Sequence, residues 1–396
     1  MVVVLAFSYG LQMYATVPAF TSIGDTFDLG LSQISLLVSA FFLGYAAAHI
    51  PAGFAAAAYG FKTVTITGSA LLTMSTAIFA MSNHFTLLLT SRVLGGMGMS
   101  MIVGSAIPIA AGWARPDRVR ITVGGLVNGF GFTAGAAIAL YAWTYINDSL
   151  GWRTGAWIAA ALGLIVTMLA ALILVTPANI EEHEEFSWGS TMRSLRSKAM
   201  WTIGIGSVGA YGGLFTVSQL GPGYAETELG LSASTAGLLS AIMLFLGIPG
   251  ALLGGYFADR TRRFVPALLV PAALMVACMF VLPFAGAAIF SIALAGIGFL
   301  GMMYFAPCTV SPGEYPDEIS PRDYGTALGL VLTLGNAGAI VFPYLYGRVT
   351  EGVNPTAGWL SLAIVAGIAC CALLVTREPR TAAPATSVIP QQKTAP

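Results

Sequence analysis

Long apolar runs decide what this chain can fold into. Twelve follow one another, near residues 1–20, 33–55, 62–82, 86–112, 120–145, 154–176, 200–220, 233–256, 264–284, 286–310, 323–346 and 357–376, each almost free of charge. A run of that length crosses a bilayer as a helix. About 20 residues at 1.5 Å each match the hydrocarbon thickness, and in hydrocarbon a backbone group finds its partner only within a helix or a closed barrel. With 57% hydrophobic and 9% charged residues, too little polar surface remains for a sizeable soluble domain. The expected fold is an all-α membrane protein of twelve transmembrane helices, multi-pass in the inner (plasma) membrane, with the lipid bilayer as its solvent.

The strongest internal break in hydropathy carries Glu181, Glu182, Glu184 and Glu185, then Arg193, Arg196 and Lys198. It separates an N-terminal six-helix bundle (1–176) from a C-terminal one (200–376) by a linker (177–199). The Pro/Ala/Thr-rich tail (377–396) has the composition of a disordered segment. Lys and Arg concentrate in cytoplasmic loops. Of the 17 here, 14 fall in the loops and tail on one side, Arg153 and Arg348 on the other, and Arg92 inside a helix. A miscounted span would scramble that parity, so twelve helices and cytoplasmic termini support each other. The chain opens with MVVVLAF, without a charged leader or small-residue cleavage site, so the first helix is read as retained. The halves also repeat. Tyr9-Gly10 matches Tyr211-Gly212, LGLS at 29–32 matches LGLS at 229–232, Gly53 matches Gly255, and AGA at 134–136 matches AGA at 337–339, at offsets of 200 to 203.

Several function classes fall away. A formal net charge of zero, without a basic tract, leaves no footprint for nucleic acid. Cys278, Cys308, Cys370 and Cys371 sit in apolar runs without metal-ligand spacing. His183, among the linker glutamates, is read as part of a solvated charge run. No metal and no cofactor is expected. A membrane enzyme needs a nucleophile with its base, or clustered carboxylates or histidines, and 3 scattered His do not supply them.

GYFADRTRR at 255–263 is similar to the G-x-L-A-D-R-x-G-R-R loop motif of the major facilitator superfamily. Its first-half counterpart, GFAAAAYGFK at 53–62, keeps Gly53, Gly60 and Lys62 but has alanines where that family places Asp and Arg. RVLGGMG at 92–98 resembles the family's R-x-x-x-G-x-G motif, whose small residues allow close helix approach. The resemblance covers essentially the whole chain. It implies two pseudo-symmetric six-helix bundles rocking around a midplane site, so that a small-molecule substrate crosses by alternating access. Gly53, Gly60, Lys62, Gly255, Asp259, Arg260 and Arg263 would form the inner gate, with its latch in question in the first half. GFTAG at 131–135 has Phe132 where proton-driven drug exporters carry proline, which counts against drug/proton antiport. Nitrate-type relatives place arginines in the second and eighth helices, and neither run here has one.

Arg92 lies roughly 8 to 9 Å into the fourth helix at 1.5 Å per residue. A charge at depth costs at least ~2.5 kcal/mol on insertion scales, so it faces a cavity or a partner, and its planar fork suits a carboxylate or other oxyanion. Snorkelling or capping of helix carbonyls is the structural alternative. The other polar candidates are Tyr9, Gln12, Tyr14, Asn128, Tyr211, Gln219, Tyr304 and Asn336, each of which alone could be interhelical glue. With Arg92 they suit a small anion or a polar aromatic or carboxylate metabolite, while 15 Met and 22 Phe leave efflux of hydrophobic, drug-like compounds open. The cavity-lining helix centres hold no Asp or Glu. Coupling is left to Arg92 with the substrate's own charge, to Asp25 or Glu314, or to a counter-substrate without a proton. His49, four residues before Gly53, is read as a packing residue near its helix end. Pro51 and Pro108 are candidate hinges. The expected unit is a monomer.

Overall fold

The computed structural model describes residues 1–115, 121–177, 195–261, 263–319 and 324–379, without the side chains of Ala57, Ile121, Asp259, Thr261, Tyr324 and Gly325. The acidic run at 181–185, Arg193, Arg262 and the tail beyond 379 lie outside the described residues. The N-terminal six helices are α1 (Val2–Phe27), α2 (Leu31–Tyr59), α3 (Phe61–Met81), α4 (Phe85–Trp113), α5 (Ile121–Leu150) and α6 (Trp152–Ile173). The C-terminal six are α7 (Lys198–Thr227), α8 (Ala233–Thr261), α9 (Phe264–Val281), α10 (Ala287–Glu314), α11 (Tyr324–Gly352) and α12 (Pro355–Cys370).

Eleven of the twelve are long and apolar enough to cross a membrane. The exception, α7, is 30 residues long and mixes Gly, Ser, Thr, Gln and Tyr with its apolar residues. It is buried along most of its length, so it packs against protein rather than lipid and needs less hydropathy to stay in the bilayer. Pro18 breaks α1 with a 3₁₀ turn at Val17–Ala19. The first part of α5, Ile121–Phe132, is wound in wide π turns and contains four glycines. Pro51 and Pro108 lie inside helices that run on past them.

Two expectations shift. The expected second helix, 33–55, extends to Tyr59, because alanines 55–58 are strong helix formers. It ends only at Gly60, whose φ of 84° an L side chain rarely adopts. His49 therefore lies ten residues inside its helix and not near the end. By the same extension, Gly255, Asp259 and Arg260 belong to the last turns of α8 rather than to a loop, with Arg260 favourably placed at the negative end of the helix dipole.

Glycine contacts recur in both halves. Gly10 of α1 lies on the Phe132 carbonyl and Gly135 of α5 on that of Phe7, while Gly338 of α11 lies on the Val208 carbonyl of α7. Gly96 of α4 lies on the Phe41 carbonyl of α2, and Gly298 of α10 on the Met243 carbonyl of α8. At each of these positions a Cβ would strike neighbouring backbone, so the internal repeat is a repeat of helix–helix contacts.

The two halves meet at one end and part at the other. Where α1 finishes and α2 begins, the Ser32 amide donates to Glu351 Oε1 of α11 at 2.8 Å. Gly347 rests on the backbone of Leu31 and Ser32, and Gly237 of α8 rests on Leu140 and Thr144 of α5. Toward the opposite ends of the same four helices, a Cβ on Gly53, Gly124, Gly255 or Gly329 would meet nothing within 4 Å among the described residues, as is also true of Gly352 at the closed end.

Candidate functional site

Just inside the closed end, the small residues of α4 bring α2 close enough for the Phe41 ring to lie under Arg92, 4.6 Å from ring centroid to guanidinium carbon. Arg92 is 4% exposed. Its Nε donates to the Leu37 carbonyl at 3.2 Å, and its Nη1 to the Met13 carbonyl at 3.3 Å and Thr16 Oγ1 at 3.2 Å. Nη2 reaches across the halves to Gln219 Oε1 at 3.5 Å. Among the described residues no carboxylate pairs with it, so this cation is hydrogen-bonded but not neutralised. A cavity of about 10 Å³, the size of one water, lies beside it among Gln12, Thr16, Ser75, Thr76 and Ser91.

Two further contacts join the halves in this layer. Tyr14 and Ser218 share a hydrogen bond of 2.8 Å, and Phe42 packs on Phe215 with centroids 4.7 Å apart. Toward the open end, Tyr9 stacks on Phe132 at 5.6 Å and its hydroxyl points to Asn128 Oδ1 at 3.5 Å. From the other half, Tyr211 packs against Phe305 at 5.3 Å and Phe215 at 6.2 Å. The Tyr211 hydroxyl and the Gln219 Nε2 are buried with no hydrogen-bond partner among the described residues. Thr216 Oγ1 of the same helix is likewise unpaired among the described residues, although buried polar atoms are nearly always paired.

The sequence candidates thus divide. Arg92, Tyr14 and Gln219 form the layer between the halves, and Tyr9, Asn128 and Tyr211 the wall below it. Gln12 is bonded within its own half to Ser8 at 3.1 Å and Thr76 at 3.1 Å. The Tyr304 hydroxyl is bonded to Ser207 at 2.7 Å, and Asn336 Nδ2 to the Leu332 carbonyl of its own helix at 2.8 Å. At the open end, Gly53 and Gly255 are bare, and Arg260 and Arg263 are exposed. The Asp259 side chain is outside the described residues. Ser218, Thr16, Phe42 and Phe215 escaped the sequence reading, because a serine, a threonine or a phenylalanine in an apolar run carries no signal of the helix it will face.

A family profile described as Major Facilitator Superfamily matches residues 2–318. The chain belongs to this superfamily. Its relatives include a probable anion transporter 5 of Arabidopsis thaliana, 25% identical with 89% of this chain and 88% of that protein covered. A hexuronate transporter of Bacillus subtilis (strain 168) is 24% identical over 86% of this chain and 84% of its own. Among solved structures, a bacterial homologue of the human lysosomal transporter Spinster, in an inward-facing and occupied conformation, superposes with a TM-score of 0.74 at 16% identity, over 95% of both chains. These twelve helices are those of a multi-pass membrane transporter.

Proposed function

We propose that the chain carries a small organic anion across the plasma membrane by alternating access, with residues 1–176 and 200–376 as the two moving bundles. The observation that carries this is Arg92. Its charge is buried between the halves without a counter-charge among the described residues, beside the unpaired amide nitrogen of Gln219. A carboxylate about 4 Å from that guanidinium gains on the order of 4 kcal/mol at an effective dielectric near 20, and the orphan Gln219 donor suits its oxygens. The charge bias of the loops supports cytoplasmic termini, and with them the closed end would face outward and the site would load from inside in this state. On opening of the outer end, Arg92 would exchange Gln219 for solvent or solute. The anion-carrying relatives support the class.

The test is thermal stabilisation of the purified protein by D-glucuronate, gluconate and inorganic phosphate, repeated with Arg92→Ala, followed by uptake into proteoliposomes. A ligand of the folded state raises the melting point according to its concentration over its Kd. Stabilisation of the wild type but not of the variant is expected. The aromatic wall of Phe132, Phe215 and Phe305 favours the second reading, efflux of hydrophobic compounds. Stabilisation of both proteins by hydrophobic cations alone would put that reading first.

A further inference from the structure

We propose that His49 is the proton-binding group of the transport cycle, its imidazole taking up a proton as the anion binds and releasing it with the anion on the far side. This rests on the anion reading above and adds the coupling ion to it. Because α2 runs on to Tyr59, His49 lies about 15 Å from that end at 1.5 Å per residue, near the middle of the helix. It follows Phe42 by seven residues, two helical turns, and so shares the face on which Phe42 meets Phe215 of the other half. His49 is therefore on the gap between the bundles, on the open side of the layer that holds Arg92.

Its ring is held in one sense. Nδ1 lies 3.2 Å from the Tyr45 carbonyl and 2.7 Å from Ser100 Oγ of α4. Nδ1 donates to Tyr45 or Ser100 in one tautomer and accepts from the Ser100 hydroxyl in the other, and in both it fixes the ring. Nε2 has no hydrogen-bond partner among the described residues, and the side chain is only partly buried. Every Asp or Glu on a described helix lies within two residues of a helix end.

The groups around the imidazole are few. Tyr45 is stacked edge-on at 4.7 Å. On α4 the nearest charge is Arg92, eight residues outward from Ser100, and α3 offers Lys62 at its start. Tyr9 of α1 and Tyr211 of α7 face the same gap. Between its start and Arg348, α11 has no Asp, Glu, Lys, Arg or His. An imidazolium here meets phenols and like charges but no anion, so an anion held at Arg92 favours it through space and not by contact. The linkage is reciprocal: anion favours proton, and proton favours anion.

The experiment uses proteoliposomes and D-glucuronate. One proton per monovalent anion lets a pH gradient of one unit accumulate glucuronate about tenfold in the wild type. His49→Gln is expected to keep glucuronate counterflow, which needs no net proton movement, and to lose the accumulation. Arg92→Ala is expected to lose both. His49→Lys, read in the same two assays, guards against a glutamine variant that folds poorly. Gradient-driven accumulation in either His49 variant overturns the proposal. Loss of counterflow in both variants, with melting points unchanged, also overturns it, because His49 is then a binding group and not a coupling group. Counterflow that is absent from the wild type, or unchanged in Arg92→Ala, overturns the anion reading itself and this inference with it.

Discussion

Arg92 rests its guanidinium on the carbonyls of Met13 and Leu37, the Thr16 hydroxyl and the Gln219 amide, none of them an anion. Leu37 lies within a helix and the Met13 carbonyl also accepts from Thr16, so removing the arginine leaves only the Gln219 oxygen without its donor, a cost of about 1–3 kcal/mol. What is removed is a buried charge with an insertion cost of at least ~2.5 kcal/mol. Arg92→Met is therefore expected to melt no lower than the wild type while losing glucuronate uptake. Uptake equal to wild type would take Arg92 out of the mechanism. Lysine is a different test: it keeps the charge but not the fork. Arg92→Lys should bind the anion more weakly than wild type and more strongly than Arg92→Met, read from the melting-point shift per millimolar glucuronate.

Helices in this fold meet through residues that let backbones touch. Gly96 lies on the Phe41 carbonyl, whereas Gly104, two turns further along α4, has nothing within 4 Å. Overpacking typically costs about 1–3 kcal/mol and sometimes more. Gly96→Val should sharply lower the melting point and folded yield, and Gly104→Ala should leave both unchanged. Equal melting points would deny the contact its role. The segment just after α12 is tied down by hydrogen bonds. The Glu378 carboxylate accepts from the first amides of α9, at Phe264 and Val265, and the Tyr315 hydroxyl donates to the Arg377 carbonyl at 2.8 Å. Burial, aided by Glu378, Glu318 and Glu314, pushes the Tyr315 phenol well above its usual range, so it stays a donor at physiological pH. Glu378→Ala removes the cap and should cost about 0.5–2 kcal/mol, measured by thermal melting.

The whole molecule is caught with one end shut. That closure rests on few polar contacts, chiefly Glu351 on the Ser32 amide and Tyr14 on Ser218. Removing one net hydrogen bond is worth about 0.5–1.5 kcal/mol, up to a tenfold change in the balance of states. In a background lacking the four free cysteines, Gly124→Cys and Gly329→Cys should react quickly with a membrane-impermeant thiol reagent, and Thr144→Cys slowly. Adding Glu351→Gln should speed the reaction at Thr144→Cys and slow it at the other two. A change at neither end would mean that Glu351 does not hold the gate.

Twelve helices, their duplication and the arginine buried at depth were all legible in the sequence, because lipid judges each segment by its own transfer free energy and a duplicated half keeps its glycines. Ala55 to Ala58 also belonged to a helix by propensity, although the motif they stand in suggested a loop. What tertiary structure alone decided is which side chains face each other: across the halves Gln219 on Arg92, Ser218 on Tyr14 and Glu351 on Ser32, and within the first half His49 on Ser100, in mid-helix and not at a helix end. Such pairings depend on helix lengths, rotations and crossings summed over the bundle, and hydropathy is blind to them because it scores each residue without its neighbours from other helices.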